Sequence, residues 1–170
     1  MPLSLRLMLL GMLSLSAAAD QQTLDRANDA LWNSLPNQPG KKPDISTLRS
    51  LFGEKAQVMG GRYRDGQPLF SQTSASDFIH SQDREKQYGF YECEVSRQAE
   101  VFDRFAAVVS IVESRTDPLQ PEPDFTGINS IQWYRGENGW AIQSLYYHLE
   151  APEQSLTSKP YARRPCLNRQ

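Results

Sequence analysis

The chain has 170 residues, with 18 Lys and Arg against 20 Asp and Glu and a net charge of −2. That length suits one domain able to bury its own core without staples. The basic residues form no tract, and phosphate binding needs them clustered, so nucleic acid is not an expected partner.

The first nineteen residues read as a secretory leader. A basic start ends at Arg6, Leu7–Leu15 is apolar, and Ser16-Ala17-Ala18-Ala19 closes with an A-x-A pair, which predicts cleavage before Asp20. The apolar stretch falls short of the roughly 20 residues a spanning helix needs, and no stop-transfer pattern follows it. No cysteine stands at the cleavage point to carry a lipid. The mature chain is therefore expected in the periplasm or secreted, free of the membrane, with 17 basic and 20 acidic side chains once Arg6 is removed. Its domain should cover residues 20–150, with 151–170 a polar, Pro-broken tail of weak structure. An oxidising compartment permits one bridge between Cys93 and Cys166, while a buried Cys93 with an idle thiol in the tail is the other reading. Spacing does not choose between them.

In chain order, apolar residues at Leu24, Ala27, Leu31 and Leu35 mark one face of a helix over Thr23–Leu35. Pro36–Pro43 breaks it. A second short helix is predicted from Ile45 to Phe52, N-capped by Asp44 and stopped by Gly53. Asp65-Gly66 between two extended runs, Ala56–Arg64 and Gln67–Thr73, is a hairpin signal, with the first strand expected to be weakened by Gly60-Gly61. Ser74 to Asp77 has capping-box spacing and opens a helix reaching about Lys86. Four strands should follow: Tyr88–Arg97, Phe105–Arg115, Gly127–Tyr134 and Trp140–Leu149, with a Pro-rich loop at Thr116–Asp124 and a turn at Arg135–Gly139. Helices followed by antiparallel strands give an α+β fold, with N-terminal helices on one face of a curved sheet. Phe105–Arg115 is apolar on both faces, which predicts that helices cover one and a second subunit the other, making a homodimer.

FYECEV at Phe90–Val95, FAAVVSIVESR at Phe105–Arg115, GINSIQW at Gly127–Trp133 and W-x-I-x-S from Trp140 to Ser144 carry a resemblance. In these segments the chain resembles the nuclear transport factor 2-like superfamily, which includes the SnoaL-like cyclases, ketosteroid isomerases and scytalone dehydratases. It looks more closely like a secreted bacterial branch of it. The resemblance implies a cone-shaped α+β fold of the cystatin kind around a cavity, but no single activity, since such folds host enzymes, binding domains and interaction modules alike. That branch usually has a basic residue in place of Cys93 and a second Trp in place of Ala141, so Cys93 is a choice of this chain and favours the bridge with Cys166.

Several chemistries can be set aside. His80 and His148 are isolated and lack ligand spacing, so no metal is expected. Gly61–Gly66 has P-loop glycine spacing, but Gln67-Pro68 replaces the Lys-Ser/Thr that grips phosphate. There is no G-x-S-x-G elbow. Glu92 and Glu94, two apart on a strand, project to one face and could share a proton in a dry pocket, although a solvated sheet edge is the plainer reading. His148 shares a face with Tyr146 and Ser144 and is a candidate general base, the plainer reading being a His near a strand end among core tyrosines. Ser110 and Asn129 are polar within apolar strands and, with Trp133 and Tyr147, are the expected pocket residues. A slip of one residue in register would exchange all these roles. The reading preferred is a small domain whose cone binds a small apolar ligand or a protein partner, with no cofactor. The resemblance implies the alternative, a cofactor-free isomerase, dehydratase or cyclase of the SnoaL-like type.

Overall fold

A computed structural model describes residues 21, 23–151, 153–156, 165 and 166, so the expected leader and most of the expected tail lie outside the described residues. Helix α1 (residues 23–34) is followed by α2 (Ile45–Leu51), β1 (Phe52–Arg64), β2 (Gln67–Ser74) and α3 (Ala75–Gln82). The remaining strands are β3 (Tyr91–Phe102), β4 (Phe105–Arg115), β5 (Phe125–Gly136) and β6 (Gly139–Leu149). They form one six-stranded sheet in the order β2-β1-β6-β5-β4-β3, curved and unclosed, so the fold is α+β as expected.

Local chemistry sets the element ends. Asp44 caps α2 by accepting from the Thr47 N–H at 3.0 Å. Ser74 caps α3 in the same way, and its hydroxyl also donates to Asp77. The expected Asp65-Gly66 turn is present, with both residues at positive φ. Several boundaries differ from the sequence reading: Phe52 and Gly53 belong to β1 and not to the end of α2, β3 begins at Tyr91, and β5 is longer at both ends than Gly127–Tyr134. Helix α3 stops at Gln82 because the Asp83 N–H closes it onto the Ile79 and His80 carbonyls, well before Lys86. Strand β3 runs on past Arg97 to a tight turn at Asp103, whose φ of 53° is a left-handed value that Asp tolerates better than most residues.

Pairing is antiparallel throughout the sheet except between β1 and β6, which run parallel. The chain therefore has to cross over between its first and last strands, a connection the hydrophobic pattern could not reveal. Gly60 and Gly61 do not weaken β1, which extends through 13 residues. They make room for β6: a Cβ at residue 60 would overlap the Tyr147 ring on the inner face, and one at residue 61 would overlap His148 on the outer face. Glycine here serves the close approach of neighbouring side chains.

The inner face packs against the helices. Leu24, Leu31 and Trp32 of α1 and Leu48 of α2 meet Val58, Val108, Ile131, Trp133 and Ile142 in one buried core. On the outer face a smaller cluster joins Cys93, Val95 and Ile111 with Ile128 and Cys166. Cys93 and Cys166 are disulfide-bonded across 73 residues of sequence, with Cα atoms 5.2 Å apart. Part of the outer face that the sequence assigned to a second subunit is thus covered by this chain's own Cys166. Replacing both cysteines by alanine should lower unfolding free energy by about 2–5 kcal/mol, read by urea titration with and without reductant. Equal stabilities would show that the bridge does not hold the end of the chain.

Candidate functional site

Strand pairing sorts the inner-face side chains into rungs. Ser110, Asn129, Tyr147 and Gly60 cross β4, β5, β6 and β1 in one rung. Val112, Gly127 and Leu149 make the next, and Glu92, Ser114 and Phe125 the one beyond it. Leu31 and Trp32 from α1, Leu35 just after its end and Phe78 from α3 roof this end of the sheet, and the space left between is a cavity of about 310 Å³. Sites for small molecules start near this volume. The lining is mainly apolar, with Arg62, Gln82, Lys86, Glu92 and Asn129 as its polar members.

The two glutamates share the inner face but not an environment. Glu94 is fully buried under α1, where its carboxylate accepts from Asn28 Nδ2 at 2.9 Å, Ser110 Oγ at 2.5 Å and Arg97 Nε at 3.1 Å. Arg97 reaches on to Asp29 and to Asp25 at 3.2 Å. In a regular strand residues three apart face opposite ways, so Glu94 and Arg97 meet only because pairing with β4 shifts between Glu94 and Ser96. Burial works against the Arg97 charge, but the bonds from Glu94 and Asp29 outweigh it and hold the guanidinium above its ordinary range. This carboxylate is committed to structure. Arg97→Met or Glu94→Ala should each cost about 3–5 kcal/mol, because either leaves a buried charge without its main partner. At the exposed end Asp25→Asn should cost no more than about 1 kcal/mol. Urea unfolding of the three variants checks that order.

Glu92 stands on the cavity wall instead, accepting from Ser114 Oγ at 3.1 Å. Removal from bulk water pushes its carboxyl up to about 7, against the smaller opposing pulls of the Ser114 bond and the Lys86 charge. Lys86 lines the same cavity, donates to Gln82 Oε1 at 2.8 Å and lies 5.5 Å from the centre of the Phe90 ring. Its own pKa is lowered, first by burial and then by Arg84, with Glu92 pulling it back up.

The other residues singled out in the sequence divide among three places. Asn129 and Tyr147 line the cavity. Asn129 is 3% exposed, and its Nδ2 has no hydrogen-bond partner. Ser110 is occupied with Glu94, and Trp133 lies in the core beyond the cavity lining. His148 is on the outer face, its Nδ1 3.2 Å from Tyr146 Oη and its ring edge-on to Tyr63. The sheet separates it from Glu92, so the two cannot act on one molecule. Among the described residues, no three His, Cys, Asp or Glu side chains gather to hold a metal. Sequence reasoning passed over Arg62, Lys86 and Gly127, which converge on the cavity only through the register of β1, β5 and β6 and the course of the 83–90 segment.

Glu92 gives a pH signature of definite sign. Its folded pKa lies above the unfolded one, so between about pH 4.5 and 7 the folded state keeps a proton that the unfolded chain has released, and stability falls as pH rises through that window. Glu92→Gln should match the parent near pH 4 and exceed it by on the order of 2 kcal/mol near pH 8. Urea midpoints across the window test this, and parallel profiles would refute it.

No protein-family model matches the sequence, and no curated protein matches it. Solved structures do. A nuclear transport factor 2-like protein with a cystatin-like fold from Novosphingobium aromaticivorans superposes with a TM-score of 0.61 at 10% identity, over 86% of this chain and 90% of its own. The Kfla4162 protein of Kribbella flavida gives 0.55 at 12% identity, over 84% of this chain and 97% of its own. At such identities the likeness speaks for architecture alone, and the architecture of this chain is the cystatin-like fold that the Novosphingobium protein shows.

Proposed function

We propose that the protein is an exported binding domain whose cone takes up a small, mostly apolar molecule. The observation that carries this reading is the unpartnered Asn129 Nδ2, nearly buried on the wall of an apolar cavity. A buried donor left unsatisfied costs about 1–3 kcal/mol, which an oxygen acceptor on a bound molecule would recover. Export is supported by the leader pattern of residues 1–19 and by the Cys93–Cys166 bridge, since disulfides persist in oxidising compartments. A homodimer through the outer face is a further part of the proposal. Phe105 and Tyr134 pair there across β4 and β5 and remain 47% and 48% exposed.

Glu92 favours a second reading. A carboxyl titrating near neutrality on a cavity wall can give and take a proton, as a cofactor-free isomerase, dehydratase or cyclase of the SnoaL-like type requires. His148 has no part in it, being on the far side of the sheet.

Gly127 provides the test. A Cβ at residue 127 would meet Leu149, the His148 carbonyl and Val112 at ordinary contact distances, so a side chain can start from the cavity floor at this position without a clash at its root. Gly127→Leu should abolish uptake of the neutral fluorophore N-phenylnaphthylamine while the protein stays folded, and Asn129→Leu should leave uptake of this donor-independent probe intact. Unchanged capture by the folded Gly127→Leu protein would place binding elsewhere and refute the cone as the site. Turnover of an enolisable ketone that Glu92→Gln abolishes would decide for the enzyme.

A further inference from the structure

The polar groups of the cavity are not spread evenly. Asn129 is buried, on the same rung as Tyr147 and Gly60, with Leu145 and Trp32 in the lining around it. One rung on, Gly127 leaves bare floor between Val112 and Leu149. From that rung outward the lining residues become accessible: Arg62 is exposed and Leu149 half-buried beside Gly127, and Lys86, Phe90, Phe125 and Glu92 further out are half-buried. The mouth thus lies at the end of the sheet where β1 and β6 finish and β3 and β5 begin.

Among the described residues that line that mouth, Arg62 and Lys86 are cations and Glu92 is a carboxyl. Among the described residues, neither Arg62 nor Lys86 has a carboxylate within ion-pair distance, whereas Lys42 nearby is paired with Asp83 at 3.0 Å. Charge count decides what the mouth accepts. An ammonium group would meet the charges of Arg62 and Lys86, and among the described lining residues only an ionised Glu92 would oppose them. An anion meets two cations, and Glu92 can escape repulsion by keeping its proton, which then serves as a third hydrogen-bond donor.

We infer that the occupant is an elongated monoanion: a carboxylate between Arg62 and Lys86 at the mouth, an apolar body lying over Gly127, and an oxygen acceptor at the inner end that receives the Asn129 Nδ2 hydrogen bond. The inference rests on the cone being a binding site and adds the chemical class of what enters it. Mouth cations give selection for charge, and the inner amide selects an oxo or hydroxy acid over a plain hydrocarbon acid.

The experiment uses three probes of one shape, oxodecanoic acid, its methyl ester and the matching oxo amine, each displacing N-phenylnaphthylamine from the full chain. Affinity should fall in the order acid, ester, amine, with the acid about tenfold tighter than the ester. The double variant Arg62→Ala/Lys86→Ala should bring acid and ester to equal affinity, abolishing the preference for the acid. Asn129→Leu should cut the preference for oxodecanoic over decanoic acid about tenfold. Equal affinity of all three probes for the parent protein, or a tighter amine, would overturn the inference and leave the cone as a binding site. Failure to take up N-phenylnaphthylamine at all would bring down the binding reading itself.

Discussion

The contact on which the rest of the structure depends is the meeting of Glu94 and Arg97 beneath α1. A fully buried carboxylate is tolerable only if every lone pair is used, and here Asn28, Ser110 and Arg97 use them. The same Arg97 then grips Asp25 and Asp29 on the helix. Helix α1 is thereby fixed to β3 and β4 in one rotational setting, which apolar contacts alone would specify less sharply. That setting presents Leu31, Trp32 and Leu35 to the cavity, so the shape of the roof follows from a polar network lying beside it. The bulge between Glu94 and Ser96 is the backbone condition for all of this, because without it Arg97 would turn to the outer face.

The opposite side of the same strand is fixed by covalent chemistry. Cys93 sits between Glu92, on the cavity wall, and Glu94, in the network, and its side chain points outward to Cys166. Three consecutive residues thus serve the pocket, the bridge and the core. Alternation along a strand makes this possible, and it ties the end of the chain to the wall of the site. The 36–44 segment supports the mouth from the other side. Asn37 exchanges backbone hydrogen bonds with Phe90 at 2.8 and 2.9 Å, and its side chain donates to the Tyr88 carbonyl at 3.1 Å.

What the sequence could show depended on the range of the forces involved. Helix α1, the Asp44 and Ser74 caps, the Asp65-Gly66 turn and the strands β4 to β6 rest on local pattern, and each was legible. Glu92 and Glu94 were legible as a same-face pair, but not as one committed carboxylate and one cavity carboxyl. That difference comes from Arg97, brought round by a bulge that leaves no periodic trace. Gly60-Gly61 read as weakness because a glycine pair in isolation shows only lost side chains. Its meaning lies in Tyr147 and His148, some ninety residues away and adjacent only through the parallel pairing of β1 with β6. The same pairing brings Arg62 to the mouth, and no rule of spacing relates it to Lys86.

An open cavity in a domain of this size needs an explanation, because interiors ordinarily close to crystal-like density and each void forfeits dispersion energy. Two features hold this one open. Gly127 withholds a side chain from the floor at a place where the backbone would admit one. Asn129 and Glu92 place polar atoms on the wall, so that further collapse onto them by Leu31 or Val112 would bury those groups against hydrocarbon. Filling the floor with an aliphatic residue would have been the easier route to stability. On the binding reading proposed above, glycine beneath an unsatisfied amide leaves room for something other than the chain's own side chains.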